Sequence, residues 1–184
     1  MNQTAFVAML FGCFALASAQ ARTLAGVELP DAVVVDGSTL RLNGMGLREA
    51  TPLRIKAYVG GLYLKDPSSD PTIVIDSHQS KRVTMQFLRD IDRKNLTSGW
   101  ASSLRKIGGQ PMEHAIAEFT ALVGDVHKGD TMDFTWRPGD GLEVATNGTV
   151  RGIISGDDFA RTLFTVWFGP EPGDANLKRG MLGK

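Results

Sequence analysis

The stretch from residue 53 to residue 64 constrains the fold of this chain more than any other. Its residues alternate with a period of two, which is typical of a β-strand whose two faces differ. One face carries Leu53, Ile55, Ala57, Val59 and Tyr63, and the other carries Arg54, Lys56, Tyr58, Leu62 and Leu64. Gly60 and Gly61 in the middle indicate a bulge or a close backbone approach. The sequence therefore predicts one long strand here.

Tight turns predict further strands beside this one. Asp36-Gly37 separates a valine run at residues 33–35 from a strand pattern at residues 39–42, which reads as a β-hairpin. Asn147-Gly148, a strong hairpin signal, joins the patterns at residues 142–146 and 149–154. The remaining strand patterns fall at residues 72–76, 81–87 and 131–136. Connections this short favour antiparallel pairing.

Helical periodicity occupies the rest of the chain. A first helix is predicted from a cap at Asn95 to Gly108, and a second from Pro111 to Gly124, which together form a helical hairpin. A third helix is predicted from a cap at Ser155 to Gly169-Pro170, and a short one at residues 176–182. Strands, helices, strands and a helix in this order indicate an α+β fold, with helices covering one face of a mostly antiparallel sheet.

Composition excludes several classes of partner. The chain has 184 residues, of which 42% are hydrophobic, and this length suits a single domain with its own core. Twenty basic and twenty acidic residues cancel without long runs of either sign. A nucleic-acid or anionic membrane surface would require a basic patch, so neither partner is expected.

The first 21 residues resemble an export signal. They contain no charged side chain, and an apolar run at residues 5–17 is followed by small residues that suit cleavage after Ala19 or after Ala21. The run is too short to cross a bilayer, so no stable membrane insertion is expected after cleavage. We therefore expect a signal peptide at residues 1–21, a single domain at residues 22–184, and export, to the periplasm in a bacterium. Cys13 is the only cysteine, which leaves the mature domain without disulfides or a thiol nucleophile.

Known catalytic and metal-binding motifs are missing from the sequence. The three histidines fall in different predicted elements, and there is no HExxH, GxSxG or phosphate-binding loop. Asp90 and Asp92 lie two positions apart, but they have no evident partner ligands and are interpreted as part of a solvated loop. No metal and no cofactor are expected.

The polar face of the strand predicted at residues 53–64 allows two interpretations. Arg54, Lys56 and Tyr58 fit an ordinary solvated face. The same face continues with Leu62 and Leu64, however, and a face that changes from cationic to apolar suits an amphipathic anion. An arginine beside a tyrosine can hold a carboxylate through charge-assisted and phenolic hydrogen bonds. Arg48, just upstream, is a candidate for that pair, or else a structural residue that bonds carbonyls in a turn at residues 44–46.

Four segments together resemble one known family. They are "LNGMGLREATPLRIKAYVGGLYL" at residues 42–64, "GVELPDAV" at 26–33, "GDDFARTLFTVWFG" at 156–169 and "LKRGMLG" at 177–183. The first is similar to the signature of the chalcone isomerase-like family. The four segments run from residue 26 to the C-terminal end, so the resemblance extends over nearly all of the chain after the predicted signal. This resemblance implies an open-faced β-sandwich in which a large antiparallel sheet is covered by a layer of helices.

The resemblance also implies two possible functions. In the isomerases the arginine that matches Arg48 stabilises negative charge developing on a chalcone, without a metal or redox cofactor. In fatty-acid-binding relatives the same arginine and a tyrosine, matched here by Tyr58, hold a carboxylate. This sequence lacks the isomerase tyrosine near residues 90–104, has Asn95 as its only asparagine there, and has Ala160 where a Ser or Thr is expected.

We therefore expect a non-catalytic exported protein that binds a small apolar or amphipathic ligand with an acidic head, such as a fatty acid, through Arg48 and Tyr58. The alternative is an intramolecular lyase or isomerase on a chalcone-like or other enone substrate, with Arg48 and Tyr58 as catalytic residues. A third possibility is a structural or partner-binding protein with a collapsed cleft. The sequence leaves the ligand and the oligomeric state open.

Overall fold

The computed structural model describes residues 20–50 and 53–184, so most of the predicted signal peptide, residues 1–19, lies outside the described residues. The strands are β1 Ala21–Leu24, β2 Val27–Pro30, β3 Ala32–Val35, β4 Ser38–Ala50, β5 Ile55–Leu64, β6 Lys81–Phe87, β7 Thr131–Arg137, β8 Gly141–Thr146 and β9 Thr149–Ser155. The helices are α1 Pro71–Asp76, α2 Arg93–Gly108, α3 Glu113–Leu122, α4 Asp157–Phe168 and α5 Ala175–Met181, with a 3₁₀ turn at Gln110–Met112.

The sheet is a seven-stranded antiparallel meander. Strands β3 to β9 pair in chain order, and β1 and β2 form a separate two-stranded ribbon. Helices pack on one face of this sheet, where the larger hydrophobic cluster is buried. The ribbon packs on part of the other face and buries a smaller cluster, which includes Val27, Leu29, Val59 and Tyr63. The predicted α+β fold, an open-faced β-sandwich covered by helices, is confirmed.

The alternation predicted for residues 53–64 is present in β5, but the burial of its two faces differs from the prediction. Leu53 and Ile55 are exposed, and the strand begins at Ile55. Arg54 and Lys56 are exposed, as the interpretation of a solvated face requires. That interpretation is wrong for Tyr58, which packs against the helix-covered core together with the fully buried Leu62 and Leu64.

Both predicted tight turns are present. Asp36 and Gly37 have φ angles of 48° and 74°, and Asn147 and Gly148 have φ angles of 49° and 73°. Two successive residues with positive φ make the type I′ turn, whose twist matches that of antiparallel strands. The turns fix the register on either side, with Val35 opposite Ser38 and Thr146 opposite Thr149.

The prediction of a strand at residues 72–76 is wrong, since these residues form α1. Asp70 accepts a hydrogen bond from the backbone N–H of Thr72, and Pro71 occupies the first turn, so the segment begins as a capped helix. At its other end the buried amine of Lys81 donates hydrogen bonds to the carbonyls of Val74, at 2.5 Å, and Ser77, at 2.8 Å. These contacts at both ends outweigh the strand propensity of the β-branched residues.

Three smaller boundaries also differ from the sequence analysis. Asp92, rather than Asn95, caps α2, and its carboxylate accepts the N–H of Asn95. Helix α4 begins after Gly156, because Ser155 still belongs to β9. Residues 44–46 form no turn, since β4 runs through them with a register shift between Leu42 and Gly44.

Helix α5 packs on β4 with direct contact between the two backbones. A Cβ atom added to Gly46 would lie 2.8 Å from Cα of Leu177, and one added to Gly180 would lie 2.8 Å from Cα of Gly46. A Cβ on Gly44 would lie 2.7 Å from the backbone nitrogen of Gly183. Gly60, on the neighbouring strand, faces side chains of the same helix, with an added Cβ 3.0 Å from Sδ of Met181 and 3.1 Å from Cδ1 of Leu177. The predicted bulge or close backbone approach at Gly60-Gly61 is therefore wrong, since side chains lie there and the ladder has no register shift at these residues.

The Gly46→Ala variant is expected to unfold more easily than the wild type, by about 2 kcal/mol or more, because its methyl group meets backbone that cannot rotate away. Chemical denaturation measures this difference. Gly124→Ala is the control, because a Cβ at Gly124 meets no atom within 4 Å and the residue does not have positive φ. Equal stability of the two variants would contradict tight docking of α5.

Candidate functional site

The structure places Arg48 and Tyr58 side by side. They are directly opposite partners in the β4–β5 ladder, so their side chains leave the same face of the sheet. That face is the one covered by helices, and the Tyr58 ring packs against Phe87 with its centroid 6.0 Å away. Two residues ten positions apart in the sequence therefore share one site.

A cleft of about 350 Å³ opens beside this pair, between the sheet and helices α2, α4 and α5. Most of its wall is apolar and comes from Met85, Ile91, Leu96, Trp100, Val166 and Leu177. Arg48, Tyr58, Asp174 and Asn95 also line it and supply polar groups. The cleft is thus an apolar pocket with a few polar groups, the usual composition of a small-molecule site.

The guanidinium of Arg48 is held by groups at the start of α5. Its Nη1 donates to the carbonyl of Gly173 at 2.6 Å, to Oδ2 of Asp174 at 3.2 Å and to the carbonyl of Glu49 at 3.4 Å. The suggestion that Arg48 bonds carbonyls at residues 44–46 is therefore wrong. Within the described part of the chain, its Nε and Nη2 donate no hydrogen bond, and 30% of the side chain is exposed.

Asp174 is an ionised, firmly held partner of Arg48. Although burial opposes its ionisation, hydrogen bonds from the N–H groups of Leu177, Glu49 and Asn176 and from the Arg48 guanidinium lower the pKa of its carboxyl group. Two of these N–H groups belong to the first turn of α5, so Asp174 is also the N-cap of that helix.

Tyr58 is a hydrogen-bond donor rather than a base. Its hydroxyl oxygen accepts the indole N–H of Trp167 at 3.2 Å. Burial raises the pKa of Tyr58 to about 12, against the lowering effects of the Trp167 hydrogen bond and of the Arg48 charge. The phenol therefore keeps its proton at neutral pH, and its O–H group can donate a hydrogen bond to an acceptor in the cleft.

The other residues considered in the sequence analysis take different positions. Asn95 does line the cleft, but its amide donates to the carboxylate of Asp92 at 2.5 Å. Ala160 is fully buried in α4 and offers no polar group.

The described residues include no cluster of His, Cys, Asp and Glu that could hold a metal ion. Nor does any helix within residues 20–50 and 53–184 have the length and apolar character needed to span a membrane.

Sequence reasoning missed two members of the site. Asp174 precedes the short helix predicted at residues 176–182, and an aspartate in that position could have been identified as its cap. Trp167 belongs to a helix face that was predicted correctly, but a periodic pattern does not say which polar atom a buried indole meets. Neither residue could have been connected with Arg48 or Tyr58 from spacing.

A second groove continues from the cleft along the seam between α2 and α4. Its volume is about 580 Å³, and it shares Ser103, Val166 and Gly173 with the cleft. Ile107 and Pro170 add apolar surface to it. Apolar lining thus extends beyond the site of Arg48 and Tyr58 towards solvent.

An antiparallel sheet, a helical layer and an apolar cleft with an arginine and a tyrosine define the chain as an α+β domain with a candidate small-molecule site. Residues 21–183 match the chalcone isomerase-like family. The match covers nearly the whole chain, and the protein belongs to this family, as its sequence segments indicated.

Similar proteins come from the plant Arabidopsis thaliana. The chain is 25% identical to fatty-acid-binding protein 1 in an alignment 179 positions long, which covers 79% of this chain and 64% of that protein. The chain thus spans slightly less than two thirds of this relative. The crystal structure of an Arabidopsis fatty-acid-binding protein superimposes with a TM-score of 0.75 at 21% identity, covering 89% of this chain and 96% of the other. This structural likeness establishes the fold.

Alkaline titration of phenolate absorbance is expected to show no tyrosine ionising with an ordinary pKa in the folded protein. The chain has two tyrosines, and burial raises the pKa of both Tyr58 and Tyr63. Because the folded state retains these protons more tightly than the unfolded state, they lower the free energy of unfolding as the pH rises above about 10. The Tyr63→Phe variant isolates Tyr58, and a folded-state pKa near 10 in that variant would contradict the burial of its hydroxyl.

Proposed function

We propose that this protein binds a fatty acid, or a similar small apolar molecule with an acidic head, in the cleft beside Arg48 and Tyr58. The observation that carries the proposal is the pairing of a cation and a phenol donor at one end of an otherwise apolar cleft. The names of the Arabidopsis relatives support the same class of ligand.

The head group would be held by donors that the protein leaves available. Arg48 uses Nη1 for its contacts with α5, whereas Nε and Nη2 bond no described residue and can bind a carboxylate oxygen. Tyr58 already accepts a hydrogen bond from Trp167, so its own proton remains to be donated. One carboxylate can thus receive donors from two neighbouring strands.

The acyl chain would contact the apolar wall of the cleft. Met85, Leu96 and Trp100 supply side chains from the sheet and from α2, and Val166 and Leu177 supply them from α4 and α5. Each methylene removed from water contributes about 0.8 kcal/mol. A longer chain could continue into the groove that shares Val166, so that ligands of different length fit one head-group site.

The geometry supports binding without catalysis. General acid–base catalysis is most efficient when the pKa of the catalytic group lies near the operating pH. The pKa of Tyr58 is raised and that of Asp174 is lowered, and the Asp174 carboxylate already accepts four hydrogen bonds. Neither group suits the role of general acid or base that a lyase would require.

We further propose that the protein is exported and that its signal is cleaved after Ala19. The uncharged apolar run and small residues at residues 1–21 support export. The carbonyl of Gln20 accepts the N–H of Asp31 at 2.8 Å, and Ala21 pairs with Pro30 in β1. Cleavage after Ala21 would remove both residues from the domain, whereas cleavage after Ala19 retains them.

Fatty-acid titration followed by native mass spectrometry is expected to show binding to the wild type and weaker binding to two variants. Arg48→Ala removes the charge-assisted hydrogen bonds, which costs on the order of 1.5 to 3 kcal/mol, or about tenfold to a hundredfold in affinity. Tyr58→Phe removes one neutral hydrogen bond and should cost about 0.5 to 1.5 kcal/mol.

Lys56→Ala is the matched control for these variants. It removes one positive charge from β5, but Lys56 is exposed and lies outside the cleft. Its affinity should equal that of the wild type, and thermal unfolding of every variant separates lost binding from lost folding. A wild type that neither carries co-purified lipid nor responds to added fatty acid would refute the proposed function.

The mature protein recovered from an exporting host is expected to begin at Gln20, as measured by intact mass. Ala17→Leu places a bulky residue three positions before the proposed cut and should block it, whereas Ala21→Leu should leave the new N-terminus at Gln20. A mature protein that begins at Arg22 would contradict the proposed site, and an uncleaved chain would contradict export.

A further inference from the structure

The polar end of the cleft contains one negative and one positive side chain. Asp174 lies 3.2 Å from the guanidinium of Arg48, and both residues line the cleft. Hydrogen bonds lower the pKa of Asp174 in spite of its burial, so the carboxylate is charged at neutral pH. The two formal charges cancel, and the site as a whole is neutral.

Asp174 cannot readily move away when a ligand arrives. Its Oδ1 accepts the N–H groups of Asn176, at 2.9 Å, and Leu177, at 3.0 Å, and its Oδ2 accepts the N–H of Glu49 at 3.2 Å. Rotation of the side chain would leave these donors without a partner and remove the cap of α5. A ligand must therefore bind Arg48 with the Asp174 carboxylate in place.

We propose that Asp174 determines which head groups the cleft accepts, and that it admits uncharged hydrogen-bonding heads, such as that of a fatty alcohol, alongside carboxylates. The inference rests on the proposed function, because it concerns the same cleft. A ligand carboxylate bound to Arg48 shares the guanidinium with the carboxylate of Asp174. The two negative charges repel each other, which weakens binding of the acid. A hydroxyl group instead accepts from Arg48 or Tyr58 and carries no charge for Asp174 to repel, since the Asp174 carboxylate already accepts four hydrogen bonds.

The test compares two probes with the same chain length, dodecanoic acid and dodecanol, on the mature protein at neutral pH. We expect the wild type to bind both. Asp174→Asn removes the negative charge and keeps a good helix cap, since Asn and Asp are similar at the N-cap. Its affinity for the acid should rise about tenfold, while its affinity for the alcohol should change by no more than about twofold.

Two further variants make the test specific. In Asp174→Ser the side chain is also uncharged, and serine also caps helices. This variant should therefore raise the ratio of acid to alcohol affinity as well, even if Asp174→Asn folds poorly. Glu49→Gln removes a carboxylate from the neighbouring position of β4, but Glu49 pairs with Arg54 and does not line the cleft. The ratio of acid to alcohol affinity should therefore stay at its wild-type value in Glu49→Gln.

The possible failures are distinguishable. If the wild type binds dodecanoic acid but Asp174→Asn and Asp174→Ser leave the ratio of acid to alcohol affinity unchanged, the inference about Asp174 is overturned and the proposed function stands. The same conclusion follows if the wild type binds the acid and rejects the alcohol. If the wild type and both Asp174 variants bind neither probe, the proposed function and the inference are overturned together.

Discussion

The contact between the backbones of α5 and β4 determines where the polar groups of the cleft lie. It exists because Gly44, Gly46 and Gly180 have no side chains at the points where the helix meets the strand. Docked in this way, the helix begins beside the end of β4, and its capping residue Asp174 reaches both Arg48 and the backbone of Glu49. One carboxylate thus connects the last helix, strand β4 and the candidate site.

Aromatic packing fixes the floor of the cleft. Trp100 meets Phe119, Phe134 and Trp167 with centroid separations of 5.2 to 5.6 Å, and the rings of Phe134 and Trp167 lie 5.7 Å apart. Such edge and tilted pairs add to the burial of the rings and fill the space between the helices and the sheet. The ligand space therefore lies above a packed interior and opens towards the α2–α4 seam, instead of extending into the core.

Local patterns in the sequence predicted the parts of the fold that local interactions decide. Alternation, two Gly-containing turns and three helical stripes located most elements. Residues 72–76 instead became a helix through the cap at Asp70 and the buried amine of Lys81, which are side-chain contacts that periodicity does not show. The site depended on the family resemblance, and the partner of Arg48 lies 126 positions away, beyond the reach of any spacing argument. Moreover, Gly44 and Gly46, in the segment at residues 42–64 that carries the resemblance, allow helix α5 to dock on β4. These glycines therefore indicate the fold and not a particular chemical activity.

The positions of the tryptophans have a practical consequence for studying this protein. Of the three in the chain, Trp100 and Trp167 line the cleft, whereas Trp136 is fully buried and donates its indole N–H to Asp157. An indole that gains an apolar neighbour in place of water changes its emission, and Trp167 is in addition hydrogen-bonded to Tyr58. A molecule bound in the cleft would therefore change the intrinsic fluorescence of the unlabelled protein through Trp100 and Trp167, whereas Trp136 lies outside the cleft.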